Sequence, residues 1–204
     1  MDEKLIAIIE QSTQLFMKYG IRSLTMDDVA KHLRISKKTL YQYVSDKDDL
    51  VNKCIDGACV MDSKAILEIV NRNLGAIDEL LEINQFVNQR LNNIHPSIFF
   101  DLEKYHRGAM GRFEKHKQEF ILNCVSRNIE KGIKEGAYRS DMNPGIIARL
   151  YLNTIDTILH GESFRTTEFN IPEIHREAVN YHLHGIASAA GLAYLNQIKN
   201  QEPR

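Results

Sequence analysis

Between residues 31 and 47 the chain carries Lys31, Arg34, Lys37, Lys38 and Lys47 against Asp46 alone, although the whole 204-residue sequence has a formal net charge of −1. A basic patch on a nearly neutral protein is the electrostatic footprint of a surface that meets phosphate. Side chains with hydrogen-bonding reach are interleaved with these cations. Lys37, Lys38, Tyr41 and Gln42 are candidates for base edges: lysine donates to guanine O6 and N7, glutamine pairs with adenine N6 and N7, and a tyrosine ring lies well against a thymine methyl. Thr25, Ser36, Thr39, Tyr43 and Lys47 suit phosphates, which set register without reading sequence. Structural roles compete at several positions. N-capping is open to Thr25 and Ser36, packing to Tyr41 and Tyr43, and an ion pair with Asp46 or Asp48 to Lys47.

The elements that must hold these residues are legible in the apolar spacing. Val29, Ala30 and Leu33 lie at i, i+1 and i+4, Ile35 follows, and Leu40 and Val44 stand four apart. Two small helical stripes joined by a turn of about three residues are the layout of a helix-turn-helix. Ser36 is a good N-cap for its second helix. Lys37 and Lys38 then oppose the macrodipole of the first turn, an arrangement that an anionic ligand would relieve. Upstream, Leu5, Ile8, Ile9, Ser12, Leu15, Phe16 and Tyr19 recur at helical spacing, and Gly20 supplies the stop. Thr25 and Asp28 form an expected capping box, and Ser45 with Asp48 is expected to repeat it near residue 46.

The remainder reads as helices over about 46–74, 77–94, 97–107, 112–135, 144–165 and 171–198, punctuated by Gly75, His95-Pro96, Gly136 and Pro144. No strand-like alternation of useful length occurs. The expectation is an all-α protein of about nine helices, with a helix-turn-helix domain at 1–47 and a larger helical domain at 48–204. A hydrophobic content of 43% is globular, three cysteines make no disulfide framework, and the first residues lack the zones of a signal peptide. No stretch reaches the roughly 20 apolar residues a membrane span needs. A soluble, cytoplasmic protein without membrane contact is expected.

With these residues in place, the first quarter resembles the TetR (tetracycline-repressor-like) family of bacterial regulators. The resemblance rests on Leu15-Phe16, Gly20, Thr25, Val29-Ala30, Ile35-Ser36, Thr39-Leu40-Tyr41, Tyr43, Lys47 and Leu50. Arg34 departs from it, standing where such chains often place glycine. If the backbone there is left-handed, the departure costs about 1 kcal/mol. The resemblance implies a homodimer that places two recognition helices on a palindromic duplex operator, with the last two helices of each subunit meeting in a four-helix bundle. Tyr151, Ile155, Ile158, Leu159, Ile186, Ala189, Ala190 and Ala193 are the interface candidates, the last four falling in or beside the small-residue run GIASAAGLA. A ligand pocket is implied in the larger domain. Phe86, Phe99, Phe100, Tyr105, Met110, Phe113, Phe120 and Cys124 could line it around a largely apolar effector, with Asp101, Glu103, His106 and Arg107 nearby.

Other classes find little support. There is no glycine-rich phosphate loop and no HExxH. The stretch 161–165, GESFR, lacks the last glycine of a nucleophile elbow. Cys54 and Cys59 are not joined by a fitting histidine pair, and His182 and His184 fall on different helical faces. No catalytic residue, cofactor or metal site is expected. The expected function is a ligand-responsive regulator, a repressor released from DNA by a small molecule. A carrier, or a domain that uses the helix-turn-helix for protein contacts, would lack salt-dependent duplex binding.

Overall fold

The computed structural model describes residues 2–160 and 169–201, and every element among them is helical apart from one isolated bridge. The chain divides into two compact units, Met1–Ala65 with Asn93–Gln118, and Ile66–Asn92 with Glu119–Arg204.

The first unit is built on α1 (Glu3–Tyr19), α2 (Met26–His32), α3 (Lys37–Leu40) and the beginning of α4 (Lys47–Val70). The stripe expected from spacing is its core: Ile8, Leu15, Phe16, Val29, Ala30, Leu40, Val44 and Leu50 are all buried. Gly20 ends α1 at φ 81°, a conformation that glycine adopts without a Cβ penalty. The unit also takes in α6 (Ile98–Tyr105) and α7 (Arg107–His116). Ile98, Leu102 and Ala109 enter the same apolar cluster as the helix-turn-helix. Residue 47, the expected boundary of the DNA-binding domain, is the first residue of α4, and packing in this unit continues beyond it.

The second unit contains α5 (Ala76–Asn92), α8 (Leu122–Lys134), α9 (Pro144–His160), α10 (Ile171–Ile186) and α11 (Ala189–Gln201). Its core joins Ala76, Ile77, Leu80, Ile129, Tyr138, Ala148, Val179, Leu183 and Ile186. Two expected helices are interrupted. The one placed at 112–135 begins earlier, as α7, and passes through a π-helical turn at Lys117–Ile121 before α8. The one placed at 171–198 breaks at Ala187 and Ser188, where Tyr138 and Ala187 form an antiparallel bridge and the Ser188 amide donates to the Ala137 carbonyl. The extra helices beyond nine come from these two breaks. The expected end near 165 and the stretch 161–165 lie outside the described residues, as does the tail from 202. Among the described residues no helix is long and apolar enough to cross a membrane.

Candidate nucleic-acid interface

The reading surface begins with α2. Thr25 caps it by accepting the Asp28 amide at 3.2 Å, and the Asp28 carboxylate takes the Thr25 amide at 2.8 Å and its hydroxyl at 2.6 Å. The expected capping box is therefore present, and those hydrogen bonds hold the Asp28 carboxyl below its usual pKa. Leu33 ends α2, after which the Arg34 amide donates to Lys31 and the Ile35 amide to Ala30, the reciprocal pair of a Schellman turn. Arg34 sits at φ 54°, so the left-handed turn considered from sequence is real and a guanidinium occupies it.

Ser36 then caps α3, accepting the Thr39 amide at 3.0 Å. Only Lys37–Leu40 are α-helical, and tight turns carry the backbone on through Val44. Leu40 and Val44 are buried and fix the depth of the segment. Lys37, Lys38, Tyr41 and Gln42 are exposed on the outside. Thr39 is half-buried, with its hydroxyl 2.8 Å from that of Ser36. Tyr43 is partly buried against the core, and the Lys4 ammonium lies 5.8 Å from its ring centre.

Two lysines differ from the sequence picture. The Lys37 ammonium does not wait for an external anion: it pairs with Asp27 of α2 at 2.9 Å. That hydrogen bond raises the Lys37 pKa above its usual value. With four residues in α3, the dipole it opposes is also short. Lys47 pairs with neither flanking aspartate. Its ammonium donates to the Leu24 carbonyl at 2.6 Å, and partial burial lowers its pKa against the attraction of Asp101, Asp48 and Asp28. The helix start near 46 is likewise displaced by one residue. Asp46 caps the Asp49 amide and the Asp49 carboxylate takes the Ser45 amide, while Asp48 meets His106 Nδ1 at 2.6 Å.

Sequence reasoning missed Asp27, which stands ten residues before its lysine with no local periodicity joining them. It also placed Asp101 beside the expected ligand pocket without foreseeing its partners. Asp101 is buried, accepting the Arg22 amide at 3.1 Å and the Ser97 hydroxyl at 3.1 Å.

Residues 8–54 match the model for bacterial regulatory proteins of the tetR family. That stretch of the chain is similar to the DNA-binding region of the tetR family. Across its length, the chain is 24% identical over 193 residues to the uncharacterized HTH-type transcriptional regulator YvaF of Bacillus subtilis (strain 168), covering 92% of this chain and 96% of the relative. Its fold is similar to that of a transcriptional regulator from Cytophaga hutchinsonii ATCC 33406, with a TM-score of 0.71 at 21% identity, covering 92% of this chain and all of that one. A TetR-family regulator from Agrobacterium tumefaciens gives a TM-score of 0.72 at 14% identity, covering 91% and 98%. The family and these relatives are transcriptional regulators rather than enzymes.

The other expected sites are only partly assembled. Among the pocket candidates, Phe99, Phe100, Tyr105, Met110 and Phe113 belong to the first unit, and Phe86, Phe120 and Cys124 to the second. Phe99 is buried with its ring 6.1 Å from that of Phe113, and Met110 and Phe113 pack on the helix-turn-helix core. Phe100 and Tyr105 are exposed instead, 6.3 Å apart edge to face, with Lys104 over both rings and the Arg22 guanidinium 5.0 Å from Tyr105. Both rings meet cationic side chains at the surface. Among the interface candidates, Ile158 and Ile186 are buried within the protomer and so are unavailable to a partner. Ala189, Ala190 and Ala193 are exposed, while Tyr151, Ile155 and Leu159 are half-buried, Tyr151 against His182 at 4.5 Å. Ile146 and Tyr181 are exposed apolar side chains on α9 and α10 that sequence did not single out, and Leu150 of α9 is exposed as well. Part of the small-residue signal is internal too. A Cβ on Gly191 would lie 2.1 Å from the Ala137 carbonyl oxygen, so glycine there serves the protomer's own packing.

Proposed function

We propose that the protein is a homodimeric repressor that binds a palindromic duplex operator through α2 and α3 and leaves it when a small molecule binds. One observation carries the reading: Leu40 and Val44 anchor a segment whose outer face presents Lys37, Lys38, Tyr41 and Gln42 together. Buried anchors with exposed donors are what a recognition helix needs to reach base edges in a major groove. Thr25, Ser36, Thr39, Tyr43 and Lys47 remain the proposed phosphate contacts. Ser36 and Lys47 serve capping or packing at the same time and keep donor capacity for a phosphate, whereas Thr25 gives its hydroxyl proton to Asp28 and must turn it away to make the contact. The exposed side chains of α9 and α10 support pairing with a second copy, which would set two reading segments about 34–36 Å apart on one face of the duplex. An apolar effector in the larger helical domain expected at 48–204 would act by favouring a dimer of another spacing. A tenfold loss of operator affinity needs only about 1.4 kcal/mol of such coupling.

The test starts by selecting an operator from a randomised duplex pool and measuring binding by fluorescence anisotropy across salt. Tight binding that weakens steeply with salt is expected, with a Lys37→Ala and Tyr41→Ala double variant weakened at least tenfold. Undiminished operator binding by the double variant would show that α3 does not carry the contacts.

A further inference from the structure

A carboxylate on a surface that meets DNA repels phosphate, and Asp27 is such a group. Its side chain is 66% exposed and its oxygen lies 2.9 Å from the Lys37 ammonium, whose own side chain is 53% exposed. α2 does not need Asp27 as a cap, because Thr25 and Asp28 complete the capping box. Tyr41 is close enough to influence Lys37 electrostatically, so Asp27, Lys37 and Tyr41 share one patch. A donor and an acceptor are therefore held side by side beside the outer face of α3.

We propose that Asp27 and Lys37 act as one element that reads a G·C base pair, Lys37 donating to guanine and Asp27 accepting from cytosine N4. The inference rests on the DNA-binding reading above and deepens it by naming a base pair. In the major groove a G·C pair presents N7 and O6 as acceptors and then N4–H₂ as a donor. O6 and N4 are themselves hydrogen-bonded, about 2.9–3.0 Å apart. That spacing matches the Lys37–Asp27 separation of 2.9 Å. An A·T pair also sets an acceptor, thymine O4, beside a donor, adenine N6. Beyond O4, however, it offers the thymine methyl, where guanine offers N7. An ammonium with three donors therefore gains a second acceptor only from guanine. Away from such a base pair, Asp27 neutralises Lys37 and weakens its hold on phosphate, so the same carboxylate lowers binding to unrelated sequence.

Duplexes selected from a randomised pool by the full-length wild type, by Asp27→Ala and by Lys37→Ala, and then sequenced, test the proposal. Thermal melts of each variant confirm folding. The wild type is expected to select G·C at one position of each half-site, preferring it to A·T by roughly tenfold or more. Both variants are expected to lose the preference at that same position and keep it elsewhere, and Asp27→Ala to bind unrelated duplex more tightly. If Asp27→Ala keeps the G·C preference and binds every duplex more tightly by one factor, Asp27 is a charge brake alone and the proposal falls. Selection of A·T at the position lost in Lys37→Ala also overturns it, as does loss at different positions in the two variants. Failure of the wild type to enrich any duplex would instead remove the DNA-reading role itself.

Discussion

Two carboxylate–lysine pairs of nearly equal length occupy opposite physical settings in this protein. Asp27–Lys37 spans 2.9 Å with both side chains more than half exposed. Glu79–Lys131 spans 2.8 Å, and the Glu79 side chain is 2% exposed. Around Glu79 the second unit has gathered further donors: Asn128 Nδ2 at 3.0 Å and Arg127 at 3.3 Å. Asn128 in turn accepts from the Tyr138 hydroxyl at 3.1 Å, and both donate to the Ala76 carbonyl. Lys131 also reaches the Leu74 carbonyl. A buried carboxylate persists only when its lone pairs are met, so this network ties α5 to α8 and to the turn before α9. The exposed pair has no such support, and water screens it. Distance alone does not separate the two. Burial makes one pair structural and leaves the other available to a partner.

Truncating the buried acid is the strongest way to break that contrast. Glu79→Ala takes one acceptor from Asn128 and from each of two cations, and is expected to destabilise by about 2–4 kcal/mol, less than a fully buried pair because Arg127 and Lys131 retain partial access to water. A fall in melting temperature of roughly 5–10 °C follows. Asp27→Ala should leave the melting temperature nearly unchanged. Equal shifts from the two substitutions would erase the distinction between a structural and an available pair.

A milder probe uses pH. Burial lowers His175 and His182 of the second unit to about 4 from an ordinary value of 6.5. Between those values the unfolded chain binds protons that the folded chain refuses, so stability declines as pH falls from about 6.5 to about 4 and then levels off. The loss is on the order of 2–3 kcal/mol for each ring. His175, 3.0 Å from Asn88 through Nδ1, is the cleaner target because it is almost fully buried. In His175→Gln the slope of stability against pH should be smaller by one ring's contribution, measured by urea denaturation across that range. Lys37 is held above its usual value and stays charged throughout, so its ammonium should contribute no slope there. An unchanged slope would mean that His175 is protonated in the folded protein.

This division also accounts for what could be read from sequence. Leu40, Val44, Gly20 and the Thr25–Asp28 box were legible because their causes are local: periodicity, a chain reversal, and a cap three residues from its partner. The same holds for the exposure of Lys38, Tyr41 and Gln42, which lie opposite the buried stripe. Asp27–Lys37, Lys47–Leu24 and Arg22–Asp101 were not legible, since each joins residues that only the folded turn or a returning segment brings together. The small run GIASAAGLA gave a correct signal of close packing with an incomplete address. Gly191 faces the chain's own Ala137 carbonyl, whereas its alanine neighbours remain exposed.

The smallest expected effect concerns Arg34, which lies next to the available pair in the chain and carries a strain of its own. At φ 54° a residue with a Cβ is disfavoured by roughly 1–2 kcal/mol, part of which glycine recovers while adding entropy to the unfolded chain. Arg34→Gly should therefore raise stability by about 1 kcal/mol or less, read as a small upward shift in melting temperature. Its effect on binding separates two reasons for keeping an exposed guanidinium in a strained turn. If Arg34 meets a phosphate, the slope of log affinity against log salt should flatten by about 0.9, the change expected for one neutralised phosphate, across operator and unrelated duplex alike. A slope identical to that of the wild type would leave Arg34 outside the duplex contact, and its strained turn without a reason on the reading surface.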